Sequence, residues 1–241
     1  MGKYYKEELS KIHDSYFGDL ALNAAFELLN YLKNTKHTGK DIVDMGCGSG
    51  IFASILSEEN YNVIGVDISP EILEIAKLRA PKATFITTSL FDYELPKTDI
   101  VTSIGEPVNY LFDNKSSYSE AEKLFTKIFN CLRTNGVFMF DFLTNKINLE
   151  NKPRIIEKEN MTMFLDISVD LDAWILTRKM TFFTKSNDHY IKDSEIHKQF
   201  LFDEALIIEK LQSLNFEVRK LDNYNGVNFR QGHIGLMCTK K

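Results

Sequence analysis

The sequence predicts an α/β protein, a doubly wound, seven-stranded, mostly parallel sheet with a small antiparallel β addition. Three observations carry that prediction. Ile42 and Val43 close an apolar strand, Gly46, Gly48 and Gly50 turn the chain, and Ile51, Phe52, Ala53, Ile55 and Leu56 open a pattern of helical spacing. From about residue 40 to 142 strand and helix patterns alternate, as parallel strands with covering helices require. Between about 155 and 202 the texture changes to alternating β-branched and aromatic residues, as in an antiparallel meander.

The elements follow in order. Residues 3–34 predict one or two helices, with Leu20, Leu22, Ala25, Leu28, Leu29 and Leu32 facing inward. After the glycine turn and its helix, Asn62 to Asp67 reads as the second strand. Ser69-Pro70-Glu71 starts the next helix: serine caps, proline suits the first turn and the acid complements the dipole. Pro81 stops it. Ala83 to Thr87 and Asp99 to Ile104 read as the third and fourth strands. Ser119 to Glu122 reads as a capping box, and the helix it opens is expected to end at Asn135-Gly136. Val137 to Phe142 is a fifth, buried strand. Met161 to Ile167, Ala173 to Phe183 and Ser194 to Leu201 predict about three meander strands. A helix from Asp203 and strands near Phe216 to Leu221 and Gly232 to Thr239 complete the seven.

Composition narrows the function. The 241 residues are 44% hydrophobic and 26% charged, with a net charge of −5. That is ordinary for a globular chain, and no basic run recommends duplex nucleic acid as a partner. Cys47, Cys131 and Cys238 lie far apart with no metal-ligand spacing, so reduced thiols and no metal are expected. The N-terminus lacks the apolar stretch of a signal peptide, and no run of 18 apolar residues occurs. A cytoplasmic protein without a membrane span is the expectation.

Strand, glycine turn and helix N-terminus together present backbone N–H groups to a ligand with no Cβ in the way. Asp67, at the end of the second strand, is placed to accept hydrogen bonds from ribose hydroxyls. A dinucleotide fingerprint places its third glycine five residues after the first. Here Gly50 is four after Gly46, and Asp44 sits two before it. That acid-x-G-x-G-x-G form resembles motif I of the class I S-adenosylmethionine-dependent methyltransferases. The resemblance implies a Rossmann-like methyltransferase fold, S-adenosylmethionine as cofactor and S-adenosylhomocysteine as product. The core would comprise residues 1–154 and 202–241, and residues 155–201 would form an antiparallel β lid over the substrate cleft.

The resemblance also implies site residues. Asp44, Gly46, Cys47, Gly48 and Gly50 would border the methionine end of the cofactor. Asp67 would hold the ribose and Ile68 would pack on the adenine. The acid that usually meets the adenine amino group is missing or displaced: the aligned position is Ser89, beside Leu90, with Asp92 three further on. Gly105-Glu106-Pro107-Val108-Asn109-Tyr110-Leu111 follows the fourth strand and would face the sulfonium. It is similar to the acid-x-x-Asn-Tyr-Leu form of small bacterial methyltransferases with β-rich lids, and Gly105 would touch the cofactor. Glu106, Tyr110 and, on the last lid strand, His197 are the candidate catalytic residues. Tyr4, Tyr5 and Tyr16 are candidates to close over the cofactor, and His13, His37, His189 and His233 are expected to be solvated or structural.

The expected reaction is in-line attack on the activated methyl, in which the protein supplies alignment and excludes water. The acidic chain and the lid favour a small-molecule acceptor, a cationic one among them, with amine nitrogen ahead of oxygen. A tRNA or protein methyltransferase and a non-catalytic cofactor-binding module are the alternatives. Monomer and homodimer both remain open.

Overall fold

A computed structural model of the chain describes residues 7–147, 153–158, 161–186 and 188–241, with backbone alone for 7–17, 158 and 186. Helix α1 (Glu7–Asn34) leads into β1 (Asp41–Met45), α2 (Ile51–Glu58), β2 (Asn62–Asp67), α3 (Pro70–Arg79) and β3 (Thr84–Thr87). Next come β4 (Thr98–Ser103), a single 3-10 turn (Pro107–Asn109), α4 (Tyr118–Cys131) and β5 (Leu132–Leu143). Strands β6 (Arg154–Lys158), β7 (Met161–Asp170), β8 (Ile175–Ser186) and β9 (His189–Phe200) follow. Helix α5 (Glu204–Ser213), β10 (Phe216–Leu221), the two-residue strands β11 (Asn223–Tyr224) and β12 (Val227–Asn228), and β13 (His233–Lys240) end the chain.

The main sheet has seven strands in the order β10-β13-β5-β4-β1-β2-β3. Neighbours among β1 to β5 run parallel, and β13 lies antiparallel to both β5 and β10. The strand order reverses between β1 and β4. The loops leaving their C-terminal ends therefore diverge and open a crevice.

Period two in β5 shows how the sheet divides its core. Phe138, Phe140 and Phe142 point to the side of α4 and α5 and stack at centroid spacings of 4.4 and 5.5 Å. Val137 and Met139 point to the opposite side, against α1 and α2. Burying each large side chain contributes about 1.5–3 kcal/mol. Asp141 is the polar exception in this run and is fully buried.

The second sheet is a four-stranded antiparallel meander, β6-β7-β8-β9. It meets the core through an isolated bridge between Tyr110 and Gln199, and just past the end of β9 Phe202 bridges to Thr144. Leu111 N also donates to Lys198 O at 2.9 Å. At its base Leu143, Leu176 and Leu201 pack together, with Ile147 and Trp174 against them.

The structure revises several expectations. The meander has four strands, because β6 precedes the predicted three and β9 starts at His189. The N-terminal pattern is one helix, with residues 3–6 outside the described residues. Leu22 is 36% exposed and Ala24 is fully buried in its stead. Helix α4 is capped by Ser117, whose Oγ accepts from Glu120 N at 3.3 Å, so the cap lies two residues earlier than read. That helix also stops at Cys131: Leu132 already pairs with Thr98, and Val137 pairs with Ile100. Asn135, in the left-handed region at φ 60°, sits in the bulge between these pairs instead of closing the helix.

Candidate active site

A cavity with about 1230 Å³ of free space, its open mouth included, lies over the C-terminal ends of β1, β2, β3 and β4 and reaches β8. One end is built from backbone. Gly46 N and Cys47 N both donate to Val66 O, at 2.7 and 3.0 Å, which folds the loop back onto β2. Gly46 has φ 77°, and a Cβ there would run into the Pro107 ring, so glycine is required for the loops after β1 and β4 to touch. Gly48 faces the cavity: its nearest neighbour to an added Cβ is Ile72 Cδ1 at 3.8 Å.

Asp67 ties this end together. Its Oδ2 accepts from Gly48 N at 2.9 Å and its Oδ1 from Ser69 N at 3.0 Å. Burial raises its carboxyl above the usual range, and those N–H groups oppose the rise. Asp44 lies beneath the loop, outside the cavity lining, and accepts from Thr102 Oγ1 at 2.8 Å. Burial pushes it up to about 7 against that hydrogen bond, with Asp67 adding to the rise. Burial likewise holds the Cys47 thiol far above its ordinary range, so it is inert.

Beside Asp67, Ile68, Ser89 and Leu90 line the cavity. Ser89 Oγ donates to Asp113 Oδ2 and accepts from Phe91 N at 3.2 Å. Asp113 lines the cavity where Asp92 had been considered. Asp92 instead pairs with Lys115 at the surface.

The other end is built from side chains. Gly105 and Glu106 are consecutive left-handed residues, with φ 90° and 68°. This unusual turn is held by Asp141. Its carboxylate accepts from Gly105 N at 3.0 Å, Glu106 N at 2.7 Å and Tyr224 OH at 3.0 Å. His233 Nε2 lies 3.1 Å from Asp141 Oδ1 as an ion-pair contact without hydrogen-bond geometry. Burial works against a charged His233, but Asp141 and Glu106 outweigh it and its pKa is raised. His233 is thus buried against Asp141 and Glu106 and not solvated, one of the two expectations for it.

Glu106 Oε2 accepts from Arg178 Nη2 at 3.1 Å and Gln199 Nε2 at 2.8 Å. Its Oε1 accepts from Arg230 Nη2 at 2.9 Å. Burial would raise this carboxyl. Arg178, Arg230, His233 and Gln199 together override that and bring it down to about 2. Tyr110 also faces the cavity, stacks on Phe112 at 4.7 Å and is pushed above the ordinary tyrosine range by burial. Asn109 stitches this loop down. Its Nδ2 donates to Leu143 O and Phe200 O at 2.9 and 2.6 Å, and its Oδ1 accepts from Leu143 N at 3.0 Å.

Of the residues read from the sequence, Gly46, Cys47, Gly48, Asp67, Ile68, Ser89, Leu90, Gly105, Glu106 and Tyr110 converge on one cavity. Asp44 and Gly50 support it from behind. His197 does not line it. Its Nε2 lies 2.9 Å from Glu195 Oε2, and its ring meets Tyr110 and Phe112 edge-on at 5.7 and 5.2 Å. Tyr4 and Tyr5 lie outside the described residues, as does the side chain of Tyr16. Arg178, Arg230, Phe112 and Asp113 were missed. Arg178 is the cross-strand partner of His197, so the lid-strand position was one strand off. Among the described residues no group of three or more His, Cys, Asp or Glu could hold a metal ion. No described helix is long and apolar enough to cross a membrane.

Residues 42–136 match the family of methyltransferase domains. A Geobacillus sp. (strain WCH70) protein named for the methyltransferases is 28% identical over 178 residues, covering 68% of each chain. An S-adenosylmethionine-dependent methyltransferase from Clostridium acetobutylicum superposes with TM-score 0.83 at 18% identity, over 97% of this chain and 98% of that one. CalS10, an amino pentose methyltransferase from Micromonospora echinaspora solved with S-adenosylmethionine bound, superposes with TM-score 0.78 at 13% identity, over 100% and 99%. The superpositions carry the fold, and the domain match over residues 42–136 with the relative carries the activity: the chain is an S-adenosylmethionine-dependent methyltransferase, an enzyme that draws its methyl group from that cofactor.

Proposed function

We propose that the enzyme methylates a small molecule held between the loop after β4 and the second sheet, with an amine nitrogen as acceptor. The carrying observation is the absence, among the described cavity-lining residues, of a base poised near neutrality at the Glu106 end. Glu106 sits at about 2 and is fully engaged, and the Tyr110 hydroxyl is held above its ordinary range. A hydroxyl acceptor would need its proton removed during attack, whereas a neutral amine attacks with its own lone pair and sheds a proton afterwards. Nitrogen therefore stays ahead of oxygen. CalS10, an amino pentose methyltransferase, is a fold neighbour of that chemistry.

The residues fit the cofactor. Gly48 leaves its side of the cavity clear, and the half-buried Asp67 lines the same wall. When bound, the cofactor supplies a sulfonium-activated methyl group. Asp67 would accept from the ribose hydroxyls, Ile68 and Leu90 would pack on the adenine, and Ser89 with Asp113 would read its edge. Gly46, Cys47, Gly48 and Gly105 would border the methionine portion, with Asp44 and Gly50 fixing the loop. Tyr110 and Glu106 would shape the acceptor end. Residues 155–201 would act as the lid that excludes water, and His197 would steady the Tyr110 and Phe112 rings.

The test is a screen for S-adenosylhomocysteine release with panels of small amines, amino sugars and hydroxy compounds, alongside total tRNA and unfolded protein. Turnover confined to amines, with the new methyl on nitrogen by mass spectrometry, is expected. Turnover only with RNA or protein would overturn the reading, and so would cofactor binding with no turnover on any panel.

A further inference from the structure

The charged groups lining the cavity are segregated. Asp67 and Asp113 stand at the glycine-loop end, where a cationic sulfonium cofactor enters. At the other end Arg178 and Arg230 converge on the single carboxylate of Glu106, from β8 and from the segment before β13. Among the described residues, two guanidiniums against one carboxylate leave a surplus of one positive charge there. Behind them His233 and Asp141 face each other at 3.1 Å as a further acid–base pair, which does not cancel the surplus.

The Arg230 side chain is 49% exposed and commits one Nη to Glu106 Oε1. A guanidinium has five N–H donors in a planar fork that matches carboxylate and phosphate oxygens. Its remaining edge is thus available at the cavity wall, next to a buried end where charge is weakly screened.

We infer that this end is a receptor for an anionic group on the acceptor, a carboxylate or a phosphate, bound by Arg230 with Arg178 and oriented by Glu106 between them. The inference rests on the small-molecule reading and replaces the cationic acceptor considered from net charge alone. The chain's overall −5 describes its surface, whereas the acceptor meets a local surplus of the opposite sign. The same surplus disfavours the ammonium form of a nearby amine and so keeps its lone pair ready without a protein base.

The anion could belong to the acceptor or to the cofactor's own amino-acid end, and the experiment separates them. Protein saturated with S-adenosylhomocysteine is titrated with inorganic phosphate, malonate and choline by calorimetry. Phosphate or malonate should bind, choline should not, and Arg230→Ala should weaken the anion at least about tenfold, as loss of a charge-assisted bidentate contact does. Arg230→Lys, which keeps the charge, should lose less. The affinity of Arg230→Ala for S-adenosylhomocysteine should stay within about threefold of wild type, which also shows that the variant is folded. Absence of anion binding, or equal binding to Arg230→Ala, would overturn the inference. So would a tenfold loss of S-adenosylhomocysteine affinity that spares its decarboxylated analogue, because the guanidinium would then serve the cofactor. Methylation of uncharged amines alone would overturn this inference and leave the small-molecule reading standing, whereas methylation of RNA or protein alone would overturn that reading itself.

Discussion

The two ends of the cavity are built in opposite ways. The glycine-loop end is local: residues 44–50 and 67–69 fold it, with backbone N–H groups bonding to Val66 O and to the Asp67 carboxylate. The Glu106 end is assembled at long range, and Arg230 reaches Glu106 across 124 residues of chain. The first is intolerant of added atoms, because its function lies in exposed backbone. The second is intolerant of lost charge, because each of its groups is the partner of another. On the proposed reading the first end serves any acceptor, and the second, which can be rewritten side chain by side chain, is where acceptor specificity would lie.

The comparison breaks most visibly at Asp141. Replacing it by Ala leaves Gly105 N, Glu106 N and the Tyr224 hydroxyl buried without their acceptor and His233 without its counter-charge. A loss of about 3–5 kcal/mol in denaturant unfolding is expected. A wild-type midpoint would mean that the Glu106 end does not depend on its brace.

Acid should find the same end next. The Glu106 carboxyl lies at about 2 in the folded chain against an ordinary 4.5, so it stabilises the fold above pH 4.5 and loses that contribution as pH falls through about 2. The interval corresponds to roughly 3 kcal/mol. Between pH 4.5 and 2, wild-type stability should fall more steeply than that of Glu106→Gln. Parallel curves would show that the arginines do not depress this group.

Gly46→Ala probes the glycine-loop end. Its left-handed conformation and the Pro107 ring leave no place for a methyl group, so a cost of about 1–3 kcal/mol is expected. It should emerge as weaker S-adenosylhomocysteine binding as the loop shifts. Unchanged binding would show that the loop is not the cofactor cradle. The smallest effect is expected for His197→Ala. Because this ring backs Tyr110 and Phe112 instead of lining the cavity, kcat should change by less than about threefold. A fall of about 10²–10⁴ would restore it as a general base.

The same contrast explains what could be read in advance. The seven strands, the glycine loop and Asp67 were legible because strand periodicity, glycine spacing and a strand-end acid are local signals. Arg178 and Arg230 were not, because nothing in their own neighbourhoods says that they face Glu106. His197 was chosen one strand from its partner Arg178, since the sequence gives a strand's alternation but not its neighbour's register. Asp141 left a usable trace, a carboxylate inside the apolar run Val137 to Phe142, where an unpaired charge would be costly. The α4 cap slipped by two because Ser117 and Ser119 both precede an acid at suitable spacing, and backbone geometry decides between them.

The hydrogen bonds described between the second sheet and the core leave from β8 and β9, through Arg178, Lys198, Gln199 and Phe200. The outermost strand, β6, pairs with β7 alone. Mechanically this is a plate clamped along one side, with the clamp placed at the Glu106 end of the cavity. Tilting such a plate widens the free side while the clamped side holds its register. Substrate could then be exchanged without disturbing the Glu106 carboxylate, and amide protons should exchange with solvent fastest in β6 and progressively more slowly toward β9.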